Sequence, residues 1–314
     1  MAWTRKDIPD LTGRTAVVTG ANSGLGYETT KALAAAGAQV IMACRSLGKA
    51  KGAQAKLLED LENDGFEPEI SIELVDLASL ASVDEFVERC FETHEHLDLL
   101  INNAGVMGTA PQLTDDGLEF QFACNHFGHF ALTAGLLPLL NDTPGSRVVA
   151  VSSLAARSGS LTKHDPTTLD DYDPFSVYGA TKLANQVFAV ELDRRLRAAG
   201  SPTISVAAHP GLAGTNLFEG FHLPGPLALG AKIGSKLVTQ PASVGALPQL
   251  RAACEPGVRG GSYFGPGFPG QAYGPPKEIS ILNHAADVDT GRRLWDLSVD
   301  LTGADPIASL DPGT

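Results

Sequence analysis

Basic residues are scarce in this chain. Its 314 residues carry 23 Lys and Arg against 36 Asp and Glu, a net charge of −13. Bulk charge of that sign repels polyanions, which argues against a nucleic acid or an anionic membrane surface as partner. Cysteine is scarce too. Cys44, Cys90, Cys124 and Cys254 stand far apart, with no metal-ligand or redox spacing. They read as reduced, buried side chains of a cytoplasmic protein. Long apolar runs are missing. Phe130 to Leu140 is too short to span a membrane and contains Pro138, and Met1-Ala-Trp-Thr-Arg-Lys-Asp has no signal-like apolar core. No membrane anchor is expected. No Pro/Ser-rich linker and no repeat divides the chain, so one domain over 1–314 is expected.

What is present is alternation. Short β-branched runs at 15–19, 38–42, 70–75, 97–101, 147–151 and 203–207 read as strands. Their apolar character is nearly continuous, as in a parallel sheet covered on both faces. Helical patterns lie between them, near 24–36, 46–63, 79–94, 115–140 and 178–199, with a last helix near 285–301. The pattern predicts an α/β fold of βαβ units, a doubly wound parallel sheet flanked by helices. Two insertions interrupt it: a polar, acidic one at 154–177 and an apolar, Gly/Pro-punctuated one at 216–238. The Gly/Pro-rich stretch 257–276 resembles a linker with too little chain after it to form a second domain.

The first strand runs into Thr19-Gly20-Ala-Asn22-Ser23-Gly24-Leu25-Gly26, and a helix follows. Glycines let a backbone turn tightly and approach a pyrophosphate, which a helix N-terminus holds through its free N–H groups. The spacing is G-x-x-x-G-x-G, not G-x-G-x-x-G. At the end of the second strand an acid would bind the ribose of NAD and an Arg would take the 2′-phosphate of NADP. The residues there are Ala43-Cys44-Arg45-Ser46, with no acid. NADP(H) is therefore expected over NAD(H). Asp76-Leu77 after the third strand could contact adenine or be an ordinary capping turn. Asn102-Asn103-Ala104-Gly105 after the fourth is a small-residue turn beside the cofactor path.

Tyr-x-x-x-Lys occurs at Tyr27–Lys31, Tyr178–Lys182 and Tyr273–Lys277. On a helix this spacing puts both side chains on one face, where a Lys favours the Tyr anion. Pro275 and Pro276 exclude a helix at the third pair. Tyr27 reads as packing against the sheet. Tyr178 opens a long helical pattern and follows a strand ending in Ser152-Ser153. Adjacent strand residues face opposite ways, so only one of these serines can meet a substrate. His126, His129 and His209 form no HExxH or Cys/His cluster, and no metal site is expected.

Taken together, Thr19-Gly-x-x-x-Gly-x-Gly26, Asp76, Asn102-Asn-Ala-Gly105, Asn125, Ser153, Tyr178-x-x-x-Lys182 and Pro210-Gly211-x-x-x-Thr215 resemble the short-chain dehydrogenase/reductase family, in its order, over residues 12–215. Ala43-Cys-Arg45, Asn125-His-Phe-Gly-His-Phe130 and Tyr178-Gly-Ala-Thr-Lys-Leu-Ala-Asn185 resemble its retinol-dehydrogenase-like and protochlorophyllide-reductase-like branch. The resemblance implies a single-domain Rossmann fold, cofactor-binding over about 12–150 and catalytic over about 151–314. It also implies roles. Tyr178 would be the general acid/base, and Lys182 would lower its pKa and hold the nicotinamide ribose. Ser153, the second serine of the pair, would orient the carbonyl. Asn125 would hold a water in a proton relay, and Pro210, Gly211 and Thr215 would border the cofactor.

An oxidoreductase interconverting an alcohol and a carbonyl is the leading expectation. Reduction of a carbon–carbon double bond, or a cofactor-sensing regulator without turnover, are the alternatives. The nearly uncharged segment 216–238 reads as a lid over an apolar substrate, with packing on the core or on another subunit as its rival. Homo-oligomer formation stays open.

Overall fold

Alternate residues of each strand divide between two cores. Ala16, Val18, Val40, Met42, Leu99 and Ile101 face one way, and Val17, Ile41, Ala43, Leu100, Val148 and Ala150 the other. That is period-two geometry with both faces covered. The computed structural model describes residues 2–213 and 240–310. Its sheet has eight strands in the order β3-β2-β1-β4-β5-β6-β7-β8. They are β1 (Thr15–Thr19), β2 (Gln39–Cys44), β3 (Ile70–Leu74), β4 (Leu99–Asn102), β5 (Arg147–Val151), β6 (Ile204–Ala208), β7 (Tyr263–Pro266) and β8 (Pro276–Ile279). All neighbours pair in parallel except β7 with β8. The architecture is the expected Rossmann-like one.

Helices α1 (Gly24–Ala35) and α2 (Leu47–Asn63) contribute Leu33, Leu57 and Leu61 to the first core. Helix α3 (Leu80–Thr93) contributes Val83 and Phe86 to the second. A short turn α4 (Phe120–Phe122) precedes α5 (Gly128–Asn141), and α6 (Pro174–Ala198) brings Phe188 and Leu192 to that same core. Two short helices, α7 (Ala242–Gly245) and α8 (Leu247–Cys254), were not legible in the sequence, and α8 adds Leu250 to the first core. The last helix, α9 (Val288–Thr302), sets Trp295 against Phe130 and Phe188.

Three expectations change. The helix expected over 115–140 starts later, because the Glu119 carboxylate accepts the Gln121 and Phe122 N–H groups at 3.0 and 2.8 Å and caps it there. It then widens into a π turn over Ala123–Phe127. The helix expected from residue 178 begins at Pro174. Asp173 caps it by accepting the Ser176 N–H at 2.6 Å, and proline suits a first helical position. The Gly/Pro-rich stretch is no linker: it forms β7 and β8, with Pro276 on the edge strand, where a missing N–H is tolerated.

Glycine is required where α5 starts. A Cβ built at Gly128 would collide with the Leu77 carbonyl oxygen and lie 2.9 Å from the Leu77 carbonyl carbon. Both neighbours are backbone, so relief needs the chain to shift. Gly128→Ala should cost roughly 1–3 kcal/mol. Gly52, inside α2 with nothing within 4 Å of its Cβ position, should give the opposite sign, with Gly52→Ala gaining about 0.5–1 kcal/mol. Denaturant midpoints of the two variants check the pair. Equal shifts would contradict the packing described.

Candidate active site

The C-terminal ends of the parallel strands open into one cleft of about 1140 Å³. It lies where β1 pairs with both β2 and β4, the point at which strand order reverses. Every cofactor residue expected from the sequence lines it except Thr215, which lies outside the described residues with segment 216–238.

The glycine turn has the shape of a phosphate cradle. Gly20 and Gly24 have φ of +66° and +55°. A Cβ at Gly26 would strike the Gly20 carbonyl oxygen and lie 2.7 Å from Asn103 Nδ2. Ser23, the cap residue of α1, makes no side-chain cap bond, and neither does Ser46 at α2. Ser79, Asp173 and Asp287 do cap their helices. The two N-termini facing the cleft thus keep their N–H groups and positive dipole ends available to an anion.

Cations gather at the same end. Arg45, Lys49 and Lys56 line the cleft. Arg45 and Lys49 form no ion pair among the described residues, whereas nearby Lys31 pairs with Asp60 at 2.9 Å and Arg89 with Glu73 at 3.1 Å. Lys56 sits 6.0 Å from the centre of the Tyr27 ring. The sequence reading missed both lysines, although Lys49 stands four residues after Arg45 at a helix start. Asp76 lines the cleft, and its Oδ1 accepts the Ala78 N–H at 3.0 Å, the bond of a capping turn.

At the other end, α6 carries Tyr178 and Lys182 into the cleft beside Ser153. The two serines separate as alternation requires. Ser152 Oγ donates to the Lys182 carbonyl at 2.7 Å and staples α6 to β5. Ser153 lines the cleft beside Tyr178, its Oγ accepting the Ala155 N–H at 3.2 Å. Burial pushes the Tyr178 hydroxyl up to about 12 against the pull of the Ser153 side chain. Burial brings Lys182 down to about 8. Its Nζ donates to the Val151 carbonyl at 3.1 Å and lies 5.8 Å from the Tyr178 ring centre. A proton-holding phenol beside a buried ammonium can give a proton to an oxygen held between Ser153 and Tyr178.

Asn125 sits in the π turn with its side chain committed. Its Oδ1 accepts the Val106 N–H at 2.7 Å, and its Nδ2 donates to the Val106 carbonyl at 2.9 Å and to Thr181 Oγ1 at 3.0 Å. It clamps the turn after β4 onto α6. Gly105 fits between, its Cβ position being 3.1 Å from Lys182 Nζ. The other two Tyr-x-x-x-Lys pairs are not brought together with Ser153. Tyr27 lines the cleft at the Lys56 end and packs on the first core, and Tyr273 lies in the loop before β8. Among the described residues no group of three or more His, Cys, Asp or Glu side chains is placed to hold a metal ion, and no helix is long and apolar enough to cross a membrane. Gln249, with no local sequence signal, joins α1 to the cleft by donating to Thr29 Oγ1 at 2.7 Å and Asn103 Oδ1 at 3.2 Å.

Comparison with known proteins places this geometry. Residues 14–222 match the short chain dehydrogenase family. The chain is 37% identical to retinol dehydrogenase 14 of Mus musculus, covering 93% of this chain and 86% of that protein. It is 36% identical to mouse retinol dehydrogenase 13, covering 93% and 85%. Among solved structures, a protein of uncharacterised function from Mycobacterium paratuberculosis aligns with a TM-score of 0.79 at 37% identity, over 97% of this chain and 99% of that one. The RhlG/NADP complex of Pseudomonas aeruginosa shares the fold, with a TM-score of 0.61 at 24% identity over 81% and 94%.

Lys182 gives a measurable trade-off between charge and stability. Its folded pKa, about 8, lies below the ordinary 10.5. The folded form therefore binds fewer protons between those values, and stability rises with pH across that window. Below pH 8 the buried ammonium costs roughly 3 kcal/mol at 1.36 kcal/mol per pKa unit. Lys182→Met removes that cost and leaves the Val151 carbonyl its bond from Asn185 Nδ2. At pH 7 the variant should unfold at a higher temperature than the parent, and the gap should close towards pH 10.5. A gap independent of pH would contradict a buried charge.

Proposed function

The chain belongs to the short-chain dehydrogenase family of oxidoreductases, and on that premise we propose that it is an NADP(H)-dependent enzyme interconverting an alcohol and a carbonyl, with Tyr178 as general acid/base. The observation that carries this reading is that one cleft holds both the glycine cradle and the Ser153–Tyr178–Lys182 cluster. The cofactor residues present fit the group. The cradle leaves no room for a Cβ at Gly26, the two facing helix ends are uncapped by side chains, and Arg45 and Lys49 are unpaired cations where a 2′-phosphate would lie. When bound, the nicotinamide supplies the hydride chemistry.

The chain's own residues supply the rest. Ser153 and Tyr178 direct two hydroxyls at the substrate oxygen. Tyr178, with its pKa held up by burial, arrives protonated and gives its proton as charge builds on that oxygen. Lys182, with its charge desolvated, favours the phenolate left behind. In the oxidative direction the same charge helps to populate the phenolate that takes the alcohol proton.

The substrate is an apolar one on this reading. Val106, Met107, Leu154, Phe175 and Leu212 border the cleft on the Tyr178 side, and two of them, Phe175 and Leu212, remain 49% and 40% exposed. An exposed apolar rim by a polar centre fits a bulky, largely hydrocarbon alcohol, aldehyde or ketone. The relatives named retinol dehydrogenases point to the same class.

Tyr178→Phe removes only a hydroxyl. Turnover of an apolar aldehyde, followed by NADPH absorbance, should fall by roughly 10² or more while NADPH binding persists. Tyr27→Phe and Tyr273→Phe should keep most activity. A folded, active Tyr178→Phe would overturn the assignment.

Arg45→Asp places a carboxylate where a phosphate would lie. NADPH affinity, read by quenching of intrinsic fluorescence, should fall by roughly 10-fold or more, as expected when a charge-assisted pair becomes a repulsion, and NADH affinity should hold or rise. Wild-type protein binding both cofactors equally well would refute the preference.

A further inference from the structure

Histidine 129 is buried beside the cluster just described and has no part in the chemistry so far. Its surroundings fix its state. The ring Nδ1 lies 3.1 Å from the Asn125 carbonyl oxygen, and Nε2 lies 2.9 Å from Thr19 Oγ1. A carbonyl only accepts, so Nδ1 carries the hydrogen. Burial with Lys182 nearby brings the ring down to about 3, so the imidazole is neutral and Nε2 has only a lone pair. The Thr19 hydroxyl must therefore donate to it. That hydroxyl accepts in turn from the Asn103 and Ala104 N–H groups, both at 2.9 Å. The competing acceptor for its proton, the Ile101 carbonyl, is farther away at 3.3 Å. One directed chain of hydrogen bonds thus runs from the turn after β4, through Thr19 and His129, to the carbonyl of Asn125.

That end point is informative. Both Nδ2 hydrogens of Asn125 and one Oδ1 lone pair are committed to Val106 and Thr181, so the side chain is held in place and the backbone carbonyl is the group that His129 addresses. The carbonyl sits in the π turn, where the Gly128 N–H reaches back to Ala123. Turns of this kind recur at functional sites. A carbonyl oxygen has two lone pairs, and the imidazole takes one from a fixed direction.

We infer that His129 is a positioning residue: its Nδ1–H aims the Asn125 carbonyl, and its Nε2 ties that carbonyl to Thr19 and the Asn103–Ala104 turn, so that the cofactor-facing turn and the proton path are held as one body. This rests on the alcohol–carbonyl reading above.

The two ring nitrogens can be replaced separately. His129→Gln sets an amide oxygen near the Nε2 position and keeps the Thr19 link. It should lower kcat roughly 10-fold to 10²-fold, the scale of a lost alignment, with the NADPH dissociation constant within about threefold of wild type. His129→Asn sets an amide nitrogen near Nδ1 and keeps the link to the carbonyl. It should weaken NADPH binding more than it lowers kcat. A purely structural histidine predicts the same proportional loss of both quantities in both variants, and that pattern, or near-normal kcat in a folded His129→Gln, overturns the inference. If neither variant folds, two measurements remain. Thr19→Val should weaken NADPH binding where Thr19→Ser does not. Long-range 1H–15N spectra of the cofactor-free protein at pH 7 should show His129 protonated at Nδ1 alone; an Nε2–H tautomer or an imidazolium refutes it. Tyr178→Phe run alongside separates the failures. If that variant is active, the parent reading is wrong. If it is inactive and His129→Gln is normal, only the role of His129 falls.

Discussion

The close approach of two turns, one after β1 and one after β4, is the constraint on which this site depends. Gly20 lies so near Ala104 that a Cβ would be 3.1 Å from the Ala104 Cα. The contact is stitched by three bonds on Thr19: its hydroxyl accepts two backbone N–H groups, and its carbonyl accepts Asn103 Nδ2 at 2.7 Å. Parallel strands β1 and β4 are neighbours here, but their helices leave on opposite faces of the sheet. The stitch keeps the floor of the resulting crevice intact where no strand bond can. Gln249 secures the same floor from below through Thr29 and Asn103. With the floor fixed, Gly105 can pass between Lys182 and Asn125.

Desolvation then does opposite things to two groups on one helix face. Burial drives Tyr178 up to about 12 and Lys182 down to about 8. In both cases the neutral form gains. The Ser153 side chain pulls the Tyr178 hydroxyl the other way, and the Lys182 ammonium lies 5.8 Å from the ring centre. Coulomb attraction at that distance in a poorly hydrated site favours the phenolate, so Lys182 works against burial, which is the larger effect. A tyrosine so placed is an acid in waiting. It becomes a base when positive charge enters the cleft.

The sequence carried the parts of this arrangement that have local causes. Strand alternation, the glycine turn and the helix beginning near Tyr178 are short-range patterns, and β1 and β5 fall on the expected residues. Two prolines were enough to dismiss Tyr273–Lys277, which lies across the loop into β8. What the sequence could not express depends on distant neighbours. β7 and β8 are built from a Gly/Pro-rich stretch because β6 offers an open edge for them to pair with. The π turn at Asn125 exists because its side chain is claimed by Val106 and Thr181. Gln249 matters only through residues far away in the chain. His126 also works at a distance: its Nε2 lies 2.9 Å from Ser298 Oγ, which itself donates to Leu294, so the imidazole ties the π turn to α9.

The scarcity of basic residues finally has a structural counterpart. In a chain with 13 more acids than bases, most arginines find a carboxylate: Arg5 with Glu28, Arg14 with Asp98, Arg194 and Arg195 with Glu191, Arg251 with Glu255. Other described cations, Lys6, Lys51, Arg157 and Lys163 among them, also lack an ion pair, so what distinguishes such a cation is its place. Arg45 and Lys49 are such cations, and they sit together at the mouth of the cleft, beside two helix N-termini that serine could have capped and does not. Each of these features alone would be unremarkable surface chemistry. Their coincidence makes one positive pocket on a negative molecule. Because screening acts over about 10 Å at 0.1 M salt, the local positive charge, and not the net −13, is what an anionic group at that mouth would meet.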